Sequence, residues 1–213
     1  MRSTLSAGSI PSSRIRVKPN FLPQDPGAGS GDGGYALFVG RLAPEKGLDV
    51  LITAWMDQAE FPPIYVVGEG PLKQRLAAEA RAASNVRFLG HQSSPDVLSL
   101  MKQALFLVVP SSWYEGFPLV LAEAFATGLP AIVSGHGSLA EIVRDGENGL
   151  HFRPGDPHSL RSAVASILSH PDRLAAFRQA ARREFLLKYS AAANYSLLSQ
   201  IYEEAIAINA RCR

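Results

Sequence analysis

Three short stretches carry residue types that could handle a phosphorylated ligand. In Gly40-Arg41-Leu42-Ala43-Pro44-Glu45-Lys46-Gly47 a guanidinium and an ammonium stand five residues apart on one loop. An arginine grips phosphate oxygens with two parallel N–H groups and a lysine adds a mobile point charge, a pairing that suits a diphosphate. A solvated turn ahead of a helix, with Lys46 as ordinary surface, accounts for the same residues equally well. The second stretch is Gly68-Glu69-Gly70-Pro71. Its glycines let backbone approach a ligand closely and Pro71 suits a first helical turn, although a tight strand-to-helix turn reads the same way.

The third stretch, Ser111-Ser112-Trp113-Tyr114-Glu115-Gly116-Phe117-Pro118, runs into Leu119-Val120-Leu121-Ala122-Glu123-Ala124-Phe125-Ala126. Pro118 marks a helix start, so the amides of Gly116 and Phe117 should lie at a positive helix end, where phosphate oxygens are stabilised. Glu123 stands out from its surroundings. Its helical neighbours at three and four residues are Leu119, Val120, Ala126 and Thr127, so no polar face explains it. A carboxylate in a helix that is apolar nearly all round is costly unless something pairs with it. Either it projects into a cleft and accepts hydrogen bonds from ligand hydroxyls, or backbone amides or a nearby arginine satisfy it.

These loops need elements to hold them. Apolar runs of strand length at Tyr35–Val39, Ile64–Val67, Val86–Leu89, Leu105–Val109, Ala131–Val133 and Gly149–Phe152 alternate with helical patterns. Leu48, Leu51, Ile52 and Trp55 form one helical face, and further helices are expected over Leu72–Ala83, Pro95–Gln103, Pro118–Thr127, Leu139–Arg144 and Pro157–Ser169. Continuous apolar strands separated by helices predict an α/β fold, a Rossmann-like doubly wound parallel sheet of about six strands with helices on both faces. In such a sheet ligands bind beyond the carboxyl ends of the strands, which is where all three loops fall. Helices over Pro171–Lys188 and Ala191–Asn209 should follow, the latter with an apolar stripe of Leu198, Ile201, Tyr202, Ala205 and Ile206.

The expected organisation is an N-terminal arm or linker over 1–34, the Rossmann-like domain over 35–188 and a C-terminal helix over 189–213. Gln24 to Gly34 is glycine-rich and reads as flexible linker, with order beginning at Tyr35. A net charge of +2 and no basic run longer than Arg182-Arg183 argue against nucleic acid as a partner. The single cysteine, Cys212, excludes an internal disulfide framework and a cysteine-based metal site, and fits a reducing cytosol. Nothing approaches the ~18 consecutive apolar residues that a membrane span requires. No secretion signal is expected, since the first residues lack a basic region, an apolar core and a small-residue cleavage site, and peripheral attachment to a membrane is compatible with the sequence.

Taken together, these motifs resemble the C-terminal domain of glycosyltransferase group 1, also called family 4. Glu115 and Glu123, with seven residues between them, look like the E-x7-E motif of retaining glycosyltransferases. The Gly-Arg-Leu-x-x-x-Lys-Gly loop, the Gly-x-Gly-Pro turn, the Glu-Gly-Phe-Pro segment and the Asp145-Gly-Glu-Asn-Gly149 turn occur in the family's order between Tyr35 and about Asp156. There are departures. The family's Gly-Gly-x-Pro-Glu loop is Gly137-Ser138-Leu139-Ala140-Glu141 here, with His136 beside it, and Pro-Asn-Gly becomes Pro19-Asn20-Phe21.

The resemblance implies one half of a GT-B fold that takes a nucleoside diphosphate sugar, such as a UDP or GDP sugar. Arg41 and Lys46 would hold the diphosphate and Glu123 the ribose hydroxyls. Glu115 would touch the transferred sugar, with Gly40, Gly68, Gly70, Gly116, Phe117, Pro118 and Leu119 completing the substrate contacts. Arg41, Lys46 and Glu115 are the residues expected to matter for catalysis. No metal or other cofactor is expected, since the chain has no Asp-x-Asp pair and fixed cations would take a metal's place. The acceptor, a glycan or lipid-linked sugar, would be bound by a preceding domain, of which only the linker around Arg14 to Pro23 is visible. The final helix would pack on that domain, leaving Leu198, Ile201 and Ile206 partly exposed without it. The expected location is cytoplasmic or at the inner membrane face. A sugar-nucleotide epimerase and a non-enzymatic nucleotide-sugar-binding fragment are the alternatives. A Rossmann dehydrogenase ranks third, because its three-glycine fingerprint is absent.

Overall fold

The computed structural model describes residue 11 and residues 15–211 of the chain. The expected Arg14–Val17 extended segment falls partly outside these residues, and Cys212 wholly so.

Six strands form one parallel sheet: β1 (Ala36–Val39), β2 (Ile64–Val67), β3 (Val86–Gly90), β4 (Leu107–Val109), β5 (Ala131–Ser134) and β6 (Gly149–Phe152), in the order β3-β2-β1-β4-β5-β6. The connecting helices are α1 (Leu48–Trp55), α2 (Lys73–Glu79), α3 (Ser94–Gln103), α4 (Leu119–Ala126), α5 (Gly137–Ile142) and α6 (Pro157–Leu168). After α7 (Pro171–Glu184) a π-helical turn, Phe185–Tyr189, leads into α8 (Ala191–Arg211). All six expected strands form, with ends that differ by at most two residues.

Alternation along each strand sends side chains to two separate cores. Leu37, Leu107, Val109, Ala131 and Val133 pack with α3, α4, α5 and Phe185 on one face. Ala36, Phe38, Val66, Val108 and Ile132 pack with α1, α6 and Phe177 on the other. The strand order reverses between β1 and β4, so a crevice opens beyond their carboxyl ends. No helix among the described residues is long and apolar enough to cross a membrane.

The glycine-rich segment corrects an expectation. It is docked on the domain and order does not begin at Tyr35. Gly29, Gly31 and Gly33 donate backbone hydrogen bonds to the carbonyls of Thr127, Lys102 and Gln103. Asp25 pairs with Arg182, and Arg178 donates to the Gly29 and Ala104 carbonyls. A Cβ on Gly29 would sit 2.1 Å from the Lys102 oxygen, so glycine here serves close packing of backbone on backbone. Composition alone cannot separate that use of glycine from a flexible linker. Further back, Leu22 is buried and its amide bonds to the Tyr189 carbonyl.

Along α8, Tyr195, Tyr202, Ile206 and Ile208 are exposed and Leu198 and Ile201 are part-buried among the described residues.

Candidate active site

The crevice at the strand-order reversal is built by the loop after β1 and the loop after β4. Gly47 permits their approach. Its φ is 67°, a left-handed value, and a Cβ there would meet the Pro110 carbonyl oxygen at 2.0 Å. The Ser112 amide then bonds to the Glu45 carbonyl across the gap.

The result is a contact between residues 69 positions apart. Lys46 Nζ lies 2.6 Å from Glu115 Oε1, and the Ser111 hydroxyl donates to the same oxygen at 2.7 Å. Both ion-pair partners are largely shielded from solvent, which strengthens the attraction relative to a surface pair. The Ser138 hydroxyl donates to the Glu115 carbonyl. His136 places Nε2 2.9 Å from the Ser111 carbonyl and sets its ring edge-on to Tyr114, so it fastens the loop rather than standing idle in it. Ser111 and Ser138 were not singled out by sequence reasoning. Ser111 lies inside the third motif, and Ser138 occupies the place of a family glycine, the one visible hint.

Arg41 is 67% exposed at its side chain and forms an ion pair with Glu45, four residues along the same loop. That guanidinium holds the Glu45 carboxyl below its ordinary range, principally through the hydrogen bond between them. Arg41 therefore stands at the mouth of the crevice, free to turn, while Lys46 lies deeper.

Pro118 caps α4 and the helix begins at Leu119. The amides of Gly116 and Phe117 donate to no acceptor among the described residues and lie beside the helix start, so they remain available to an anion. Glu123 has an unusual setting. From Leu121 to Ser134 it is the one residue that is not buried. Its carboxylate has no hydrogen bond or ion pair among the described residues, so the locally satisfied alternative does not describe it. Burial alone raises its pKa above the usual carboxyl range.

Beyond β1, β2 and β3 a cavity of about 360 Å³ is lined by Gly40, Arg41, Gly68, Glu69, His91 and Gln92. It adjoins the cationic loop. The two glycines of its second loop have packing reasons of their own. A Cβ on Gly68, at φ 138°, would lie 1.9 Å from the Gly40 oxygen, and one on Gly70 would lie 2.4 Å from that of Leu42. Gly68→Ala is accordingly expected to destabilise the domain by about 3 kcal/mol, read as a lower urea-unfolding midpoint. A neutral effect would show slack between the two loops and leave ligand contact as the reason for the glycine.

A larger cavity, about 510 Å³, lies where the glycine-rich segment meets α7. Two of the three guanidiniums on its wall are already engaged, Arg178 with two carbonyls and Arg182 with Asp25 and the Ala126 carbonyl. It is remote from the carboxyl ends of the strands, and size alone does not make it the site.

Comparison with known proteins identifies the family. The family model described as Glycosyl transferases group 1 matches residues 26–184. An uncharacterized glycosyltransferase of Methanocaldococcus jannaschii is 33% identical over 176 residues, covering 82% of this chain and 49% of that protein. Glycogen synthase of Mycobacterium tuberculosis is 33% identical over 172 residues, covering 78% and 41%. Among solved structures, HepE of Anabaena in complex with UDP and glucose superposes with a TM-score of 0.80 over 96% of this chain and 60% of that one, at 19% identity. The chain thus spans about half the length of the curated relatives it matches.

Proposed function

Because the chain belongs to the group 1 glycosyl transferases, we propose that its crevice holds the nucleoside diphosphate of a sugar donor during transfer to an acceptor hydroxyl with retention at the anomeric carbon. The observation that carries this reading is the convergence of Lys46, Glu115 and the free Gly116 and Phe117 amides at the strand-order reversal. As the glycosidic bond breaks, negative charge grows on the departing phosphate and positive charge on the anomeric carbon. Lys46 and the two amides are held beside that phosphate and the mobile Arg41 swings onto it from the mouth; preorganised stabilisation of this kind is commonly the largest contribution an active site makes.

Glu123, with an accessible carboxylate and no partner, accepts hydrogen bonds from the ribose hydroxyls. Glu115 exchanges Lys46 for hydroxyls of the transferred sugar as the diphosphate claims the lysine. The base lies in the cavity near Gly68 and His91, and the fixed cations neutralise the diphosphate without a metal. The acceptor is a glycan or lipid-linked sugar presented by an N-terminal domain, and turnover depends on that domain. In support, the curated relatives are about twice this chain's length and the apolar stripe of α8 lies exposed.

Calorimetric titration with UDP, GDP and ADP, each with and without magnesium, tests the proposal. One diphosphate should bind in the micromolar to millimolar range, equally well without metal. UDP is the first to try, given the UDP in the HepE structure. Failure of all three to bind would sink the donor-site reading, and binding only with magnesium would sink its metal-free part.

A further inference from the structure

A second cavity, of about 430 Å³, adjoins the crevice on the far side of the Gly116–Phe117 turn. Arm residues Val17 to Asn20 form one wall, and α5 and the π-helical turn form the others. The volume is that of an ordinary small-molecule site. Asn20 Nδ2 donates to the Phe117 carbonyl at 3.3 Å, so the arm is tied to the turn that separates the two spaces.

The chemistry of the lining is uneven, with more free donors than acceptors. Tyr189 is only 4% exposed, its ring edge-on to Phe117 with centroids 5.3 Å apart. Its hydroxyl has no hydrogen-bond partner among the described residues. The fully enclosed side-chain atoms without partners are Ser134 Oγ and Asn148 Nδ2, so the Tyr189 hydroxyl reaches accessible space, and the cavity is the space this residue lines. Burial raises its pKa, so it stays protonated and acts as a donor. Lys18 has an amide partner, Asn194 Oδ1 at 3.3 Å, and no carboxylate. Lys188 pairs with Glu184, but that carboxylate is shared with Arg144. The Gly116 amide is free, whereas the Ser138 hydroxyl is already committed to the Glu115 carbonyl. The charged residues that line the cavity itself are Lys18 and Lys188 against Glu141, while behind it Arg144 is shared by Glu147 and Glu184.

A ligand group that offers only acceptors and a negative charge matches this lining. We propose that the cavity binds the carboxylate or phosphate group of an acidic acceptor, so that this half of the enzyme takes part in acceptor selection. The identification of the ligand as an acceptor rests on the donor-site reading above. The unpartnered Tyr189 hydroxyl and the lysine without a carboxylate do not depend on it.

The test is a proton–nitrogen correlation NMR titration of the labelled chain with glucuronate, inorganic phosphate and, as a neutral control, glucose. UDP is titrated separately on the same sample. The amides of Asn20, Ser138 and Tyr189 should shift saturably with glucuronate or phosphate and stay unmoved by glucose. Whichever anion binds more tightly identifies a carboxylate or a phosphate as the natural group. Tyr189→Phe and Lys18→Gln should each weaken that binding roughly fivefold, as expected for the loss of one hydrogen bond, while leaving UDP affinity unchanged. Equal shifts with glucose, anion shifts confined to residues 40–47, or full affinity in both variants would each overturn the proposal. The UDP titration reports on the other pocket, through Lys46 and the Gly116 and Phe117 amides, so loss of the donor-site reading would register there and not at the amides of Asn20, Ser138 and Tyr189.

Discussion

Lys46→Ala is expected to weaken binding of the preferred nucleoside diphosphate by about 2 kcal/mol, roughly thirtyfold, in calorimetric titration. Without ligand, Lys46 is held by Glu115 in a shielded ion pair and Glu115 is held in addition by Ser111. Diphosphate must therefore draw the ammonium away from an existing partner, and the measured affinity is the difference between two charge-assisted contacts. That exchange separates Lys46 from an ordinary surface lysine. Glu115→Gln removes the competitor while keeping the shape, so it should leave UDP binding unchanged or slightly tighter. The same variant should bind a UDP sugar more weakly than the native chain, because the sugar hydroxyls lose a charged acceptor. Should Lys46→Ala bind UDP normally, Lys46 is no phosphate ligand. Should Glu115→Gln weaken UDP and UDP sugar alike, Glu115 serves to position Lys46 and does not contact the sugar.

Glu123→Gln is the second substitution with a large expected effect, and it moves stability and binding in opposite directions. Burial raises the folded-state pKa of Glu123 with no partner to offset it. An acid whose pKa is raised on folding binds its proton more tightly in the native state, so ionising it costs stability. That cost is absent below the unfolded-state value near 4.5. It grows as pH rises from that value and is fully present above the folded-state pKa. Glu123→Gln should then unfold at higher temperature than the native chain at pH 7, the advantage vanishing below about pH 4.5. The same change should weaken UDP binding by about 2 kcal/mol and abolish discrimination between UDP and its 2′-deoxy form. Native-like preference for the ribose in Glu123→Gln would remove this residue from the nucleotide site. A pH-independent stability difference would mean that the carboxyl has a partner in solution.

The stabilising variant being the poorer binder follows from what the site must do. A carboxylate kept half out of water and unpaired is a poor choice for folding and a strong acceptor for the hydroxyls that eventually reach it.

Much of this was legible without coordinates. Strand-length apolar runs and the spacing of Leu48, Leu51, Ile52 and Trp55 are local patterns, and local patterns determine element type. Once alternating strands and helices are assigned, chirality leaves a doubly wound sheet, and the ligand edge follows. The isolated Glu123 was visible as an anomaly, because the residues that flank it on the helix are its sequence neighbours at three and four positions. Order in the arm was not. Gly29 and Gly31 have the same composition whether they swing free or press backbone against Lys102 and Arg178. The partners of Lys46 were equally hidden. Its contact with Glu115 spans 69 positions and exists only because Gly47 lets the two loops close. Nor could the sequence separate ligand contact from packing at Gly68 and Gly70, since each asks for the same missing side chain. The chain's own order of residues determined which groups reach the carboxyl edge of the sheet. Which of those groups face each other, and which face an open cavity, was decided only when distant loops packed, because contact energy depends on separation in space and not along the chain.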